Sequence, residues 1–165
     1  GGGVNVYNSG DISLDGAGEE VCSCRAAATS RWTAPFSECT AGEDGGGMFV
    51  WNSGDISLDG ASFSECTADT NGGGMTVWNS GDVSLEGASF SECTAGEYGG
   101  GMLVENSGDI SLASFSECTA VDETGGGLRV YKSGDVSLDG ASFSECTAVA
   151  WGGGMLVQSS GDVSL

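Results

Sequence analysis

The feature that most constrains this chain is that it repeats itself. The six residues Phe-Ser-Glu-Cys-Thr-Ala occur at positions 36–41, 63–68, 90–95, 115–120 and 143–148, and Gly-Gly-Gly opens units at Gly1, Gly45, Gly72, Gly99, Gly125 and Gly152. The second to fifth units are 27, 27, 26 and 27 residues long. A period of this size means stacked supersecondary units, because one such unit has too little apolar surface to fold alone. Unit one carries an insertion at 18–35, unit four lacks the Asp-Gly that follows the leucine elsewhere, and the last unit stops halfway round at Leu165.

Within a unit the apolar residues alternate. Met48 and Val50 flank Phe49, and Ile56 and Leu58 flank Ser57. A period of two means strand, with every second side chain facing one core. Gly-Gly-Gly, Asn-Ser-Gly-Asp and Asp-Gly punctuate the strands as turns. Nothing recurs at helical spacing, and the glycines are too frequent for helix. A propeller blade needs four strands and usually ~40 residues or more. A unit of about 27 residues with three short strands fits one coil of a parallel β-helix, where equivalent residues stack ~4.8 Å apart. The expected fold is therefore an all-β solenoid of roughly six coils, counting the partial last one, forming a single domain over 1–165. The chain opens in mid-repeat without a signal peptide or initiator methionine, which reads as a segment of a longer or processed protein.

The pattern GGGM-x-V, then D-[IV]-S-L, then F-S-E-C-T-A resembles the repeats of chlamydial polymorphic outer-membrane proteins and related β-helix proteins. There, GGA-[ILV] alternates with F-x-x-N. Phe36, Phe63, Phe90, Phe115 and Phe143 match the family's phenylalanine. Cys39, Cys66, Cys93, Cys118 and Cys146 stand where the family has asparagine, and the third glycine stands for its alanine. The resemblance covers the chain apart from 18–35. It implies a right-handed coil and a surface-exposed, adhesin-like protein, although a fold does not fix a function.

Stacked coils turn each repeated position into a column. The phenylalanines are expected to form an inward aromatic stack and the five cysteines a second column of buried thiols. Disulfides between coils are an alternative within Cα range, but parallel Cβ vectors do not favour the dihedral. Metal binding by the cysteines finds no histidine and no CxxC spacing. Cys22 and Cys24 lie apart in the insertion with Arg25, Arg31 and Trp32, making it a candidate for specific contact or for a disulfide. Asp11, Asp55, Asp82, Asp109, Asp135 and Asp162 form an acidic column, Glu38, Glu65, Glu92, Glu117 and Glu145 another, and Asp15, Asp59, Glu86 and Asp139 a broken third. Charges ~5 Å apart repel by ~0.8 kcal/mol in water. The aspartates must therefore be solvated, bonded to turn N–H groups, or bridged by Ca2+ as a ladder of hard oxygen ligands. An outward column of Tyr7, Trp51, Trp78, Glu105, Tyr131 and Gln158 offers aromatic faces to glycans or another chain.

The balance of 24 acidic against four basic residues gives a net charge of −20, which excludes nucleic acid and anionic membrane surfaces as natural partners. No apolar run is long enough to span a bilayer. Acids recur in every unit, so no pair is marked as a general acid and base, and the chain reads as a non-enzyme. The function expected is an extracellular, cell-surface structural repeat protein that forms or decorates a filament, self-associating end to end or with other fibre chains. The alternatives are an adhesin-like passenger that binds a glycan or protein, and a calcium-dependent solenoid module.

Overall fold

The computed structural model describes residues 3–10, 12–15, 36–111 and 114–164, with Ile12–Asp15 and Asp59 described by backbone alone. The chain is a parallel β-solenoid. The second coil shows the plan: Met48–Trp51, Ile56–Asp59, Ser62–Ser64 and Thr67–Ala68 are its strands. Each pairs in parallel with its equivalent one coil on, Met48 with Met75 and Phe63 with Phe90. The strands thus gather into four sheets, of six, six, five and five strands. The first two contain the Met48–Trp51 and Ile56–Asp59 strands, the third Ser62–Ser64 and the fourth Thr67–Ala68. There are thus four strands per coil rather than three; the Thr-Ala pair is a strand too short to show an alternating pattern. No helix occurs among the described residues.

The core lies inside the coil. Met48, Val50, Met75, Val77, Met102 and Val104 of the first sheet meet Ile56, Leu58, Val83 and Ile110 of the second, closed by Phe63, Phe90 and Phe115 of the third. All of these are at most 1% exposed. Burial of this kind stabilises by roughly 25 cal/mol per Å² of apolar surface removed from water.

The triple glycine has three separate reasons. The first, as at Gly45, sits at φ 63°, the left-handed region where a side chain is strained. The second lies against neighbouring backbone: a Cβ on Gly46 would run into the Gly73 carbonyl of the next coil. The third leaves room for the aromatic ring, since a Cβ on Gly47 would sit 2.7 Å from Phe63 Cδ1. One motif therefore sets a turn, an inter-coil approach and a slot for the phenylalanine.

Candidate functional site

The phenylalanine column is built by the third sheet. Ring centroids of Phe36, Phe63, Phe90, Phe115 and Phe143 follow one another at 4.5, 4.6, 4.9 and 5.1 Å. Interplanar angles are between 2° and 11°. In-register parallel pairing forces this, because it places each ring one coil rise above the last.

Two residues on, the chain turns a corner at glutamate. Glu38, Glu65, Glu92, Glu117 and Glu145 all have φ of 52–53°. A left-handed residue reverses which way successive peptides point, and the hydrogen bonds show the result. Glu65 N–H donates forward to Ser91 O of the next coil at 3.0 Å, whereas Thr67 N–H donates backward to Cys39 O at 2.8 Å. A non-glycine residue held there costs about 1–2 kcal/mol. The glutamate side chains are exposed, so water screens their mutual repulsion.

Between Glu and Thr the cysteine points inward. Cys39, Cys66, Cys93 and Cys118 are buried, Cys146 is half-buried, and all five are thiols rather than disulfides. Each central thiol touches the same two carbonyls. Cys66 Sγ lies 3.3 Å from Ser64 O and 3.4 Å from Phe36 O of the preceding coil. Cys93 and Cys118 repeat this, at 3.4 and 3.3 Å from Ser91 O and Ser116 O and at 3.6 and 3.5 Å from Phe63 O and Phe90 O. The thiols stand one above another along the column, so neighbours titrate against one another. S–H groups of Cys146 and Cys93 hold Cys118 low against the effect of burial. Cys118 and Cys66 in turn push Cys93 far up.

The aspartate column is a capping ladder. Asp55 Oδ1 accepts from Asp82 N–H at 3.0 Å, Asp82 from Asp109 at 2.9 Å, Asp109 from Asp135 at 2.8 Å and Asp135 from Asp162 at 2.8 Å. The glycine of Ser-Gly-Asp is required by this arrangement, because a Cβ on Gly81 would run into Asp55 Oδ1. The serine of the same turn adds a second inter-coil bond: Ser80 Oγ accepts from Ser53 N–H at 3.3 Å and donates to Trp78 O at 3.1 Å. One oxygen each of Asp55, Asp82, Asp109 and Asp135 is thus committed to a protein donor. Among the described residues no three acidic, histidine or cysteine side chains converge on a point where an ion could sit. A calcium ladder along Asp55, Asp82, Asp109, Asp135 and Asp162 would have to form on the carboxylate oxygens that this capping leaves over, and Asp11 lies outside the described residues.

The outward column of the first sheet is exposed at its ends and half-buried between them. Tyr7 and Trp51 are exposed, while Trp78 and Tyr131 are half-buried. Tyr7 meets Trp51 edge-on at 5.9 Å and Phe49 at 5.6 Å, and Phe49 meets Trp78 edge-on at 5.6 Å. A cavity of about 360 Å³ beside them is lined by Asn5, Tyr7, Glu43, Asp44 and Phe49. Burial pushes the Asp44 carboxyl above its ordinary range, although Asn71 Nδ2 donates to it at 2.8 Å. Further along, Arg129 lies over Tyr98, 4.1 Å from the ring centroid, and near Tyr131 at 5.2 Å. The expected insertion contact at Trp32, with Cys22, Cys24, Arg25 and Arg31, lies outside the described residues.

A family model for the right-handed β-helix region matches residues 1–165. The chain belongs to the right-handed β-helix family. A search of curated proteins and a search of solved structures each found no significant match. The handedness is thus set by the family and the strand pairing by the structure. This β-helix departs from a bare hydrophobic tube at its corners. Asn8, Asn52, Asn79 and Asn106 hold a second left-handed corner, with φ of 50–55°. The signal was available, since asparagine followed by Ser-Gly is a turn sequence that tolerates that conformation. For the glutamate corner no sequence signal exists, because glutamate is not a left-handed residue by preference.

Proposed function

We propose that this β-helix is an extracellular structural repeat protein that forms or decorates a surface filament. The observation that carries the reading is axial sameness. Each coil presents the next with the same edge: four strands in register, a phenylalanine ring, a thiol, and aspartate and serine caps waiting for N–H groups. Ser142–Ser144, Thr147–Ala148, Met155–Gln158 and Val163–Ser164 pair with the coil before them in the same register as every earlier coil. The occupant supported here is a further coil of the same repeat. A net charge of −20 keeps neighbouring rods apart laterally and so favours thin filaments over bundles.

One observation favours the second reading, an adhesin-like passenger. The cavity beside Tyr7 and Phe49 joins aromatic faces to the Glu43 and Asp44 carboxylates and the Asn5 amide. Aromatic faces with adjacent hydrogen-bonding groups suit a glycan.

Electron microscopy of the untagged protein over a concentration series separates the two. The filament reading expects thin rods that lengthen with concentration and diffract at an axial spacing of ~4.8 Å. Short particles of constant length at every concentration contradict it. Glycan-array binding abolished by Tyr7→Ala then supports the passenger.

A further inference from the structure

We propose that the buried thiol column binds soft monovalent cations, Cu(I) or Ag(I), held in line between the sulfurs of successive coils.

The argument begins with spacing. The same two carbonyls fix Sγ of Cys66, Cys93 and Cys118 in each coil. The sulfurs therefore repeat with the coil rise, which the adjacent ring column measures as 4.5–5.1 Å. That distance refuses a disulfide. An S–S bond is about 2.05 Å long and needs Cβ atoms about 3.5–4.5 Å apart, whereas in-register strands hold theirs about 4.8 Å apart. The same distance accepts a bridging ion. Metal–thiolate bonds of about 2.3 Å, the length zinc makes, place two sulfurs about 4.6 Å apart across a straight centre. Two-coordinate, linear geometry is the habit of soft d10 monovalent ions, and thiolates are the ligands they select.

Alternatives are excluded by ligand count. A tetrahedral ion needs three or four donors around one point, and among the described residues no three cysteine, histidine or acidic side chains converge. A linear ion needs only two, and the five thiols leave four gaps between neighbours. Charge balances as well. Each ion entering the column displaces one thiol proton to solvent, M+ with R–SH giving M–S–R and H+, with no electron transferred. An alternating chain of thiolates and monovalent ions is neutral overall, which is what a buried site requires. A fifth proton stays on the column when all four gaps are filled.

The test uses Ag(I) as probe, since it does not change oxidation state in air. The protein is reduced and carries Cys22→Ser and Cys24→Ser, so that the column holds its only cysteines. Native mass spectrometry is expected to show up to four Ag(I) per chain, with one proton released per ion, the β circular-dichroism spectrum retained and the melting temperature raised. Cys93→Ser separates Cys39–Cys66 from Cys118–Cys146 and is expected to halve the maximum to two. Cys146→Ser, at the half-buried end, is expected to leave three, and it provides the reading if the central variant fails to fold. Zn(II) is expected not to bind. Loss of the β spectrum on silver binding, a stoichiometry unchanged by either column variant, or no binding at all would overturn the proposal.

Discussion

Two columns on this β-helix, both buried in its middle coils, behave in opposite ways. In the third sheet the position is phenylalanine in every coil. In the first sheet the position two after the triple glycine holds Asn5, Phe49, Thr76, Leu103, Arg129 and Leu156. Phe90, Thr76 and Leu103 are all at most 1% exposed, so burial alone does not demand identity. The difference lies in what covers each side chain. A phenylalanine ring is covered by copies of itself, above and below, in a slot left by a glycine. The residue two after the triple glycine packs on its own coil's first glycine and the adjoining loop: a Cβ on Gly72 would meet Thr76 Oγ1, and Thr76 Oγ1 donates to Asn71 O at 3.0 Å. Each of those contacts can be solved separately in each coil. Sequence repetition in this chain therefore marks where a side chain stacks on copies of itself, and variation marks where it is covered by residues of other kinds, as Phe49 is by Tyr7 and Trp78.

The comparison can be broken at its strictest point first. Gly73→Val is expected to abolish folding or cost more than about 4 kcal/mol, because its Cβ meets the carbonyl of Gly100 in the next coil; circular dichroism and gel filtration read this directly. Phe90→Ala is expected to cost about 3–5 kcal/mol by chemical denaturation, as truncations of buried aromatics do, and to lower the stability of both flanking coils. Glu92→Gly acts in the other direction. It relieves a left-handed residue at φ 53° at the entropic cost of glycine, for a net gain of about 0.5–1 kcal/mol.

The smallest effect sharpens the comparison through pH. Burial raises the Asp44 carboxyl in the folded state, so folding is favoured while that carboxyl is protonated. The contribution is present below the ordinary aspartate range and is lost as pH rises through the raised value. Asp44→Asn keeps an acceptor for Asn71 and removes the ionisation. The variant is expected to match the parent at pH 3 and to melt slightly higher at pH 7. A variant that melts lower than the parent at pH 7 would show that Asp44 is stabilised as a carboxylate.

Much of this was legible in the letters. Period-two alternation and a recurring unit of about 27 residues lead to stacked parallel coils, and the phenylalanine and cysteine positions were placed as columns by repetition alone. The fourth sheet was not legible, because Thr67–Ala68 is too short to alternate. The role of the aspartates needed coordinates. A carboxylate column reads equally as a cation ladder or a capping ladder until the distance to the next coil's N–H is known. The left-handed glutamate stayed hidden for a physical reason: its conformation is imposed by hydrogen bonds running to both neighbouring coils, not by its own preference.

The central claim is that identity is required where a side chain stacks on copies of itself and not where a buried residue is covered by residues of other kinds. The most direct test places the same new residue at both kinds of buried site and compares denaturant unfolding of Phe90→Thr with that of Leu103→Thr. The account predicts a loss above about 4 kcal/mol at Phe90, where a ring is removed and a hydroxyl is left buried in an aromatic stack. At Leu103 it predicts a loss below about 1.5 kcal/mol, because the preceding coil already carries threonine there with a carbonyl to bond. Equal losses at the two sites, or a larger one at Leu103, would contradict it.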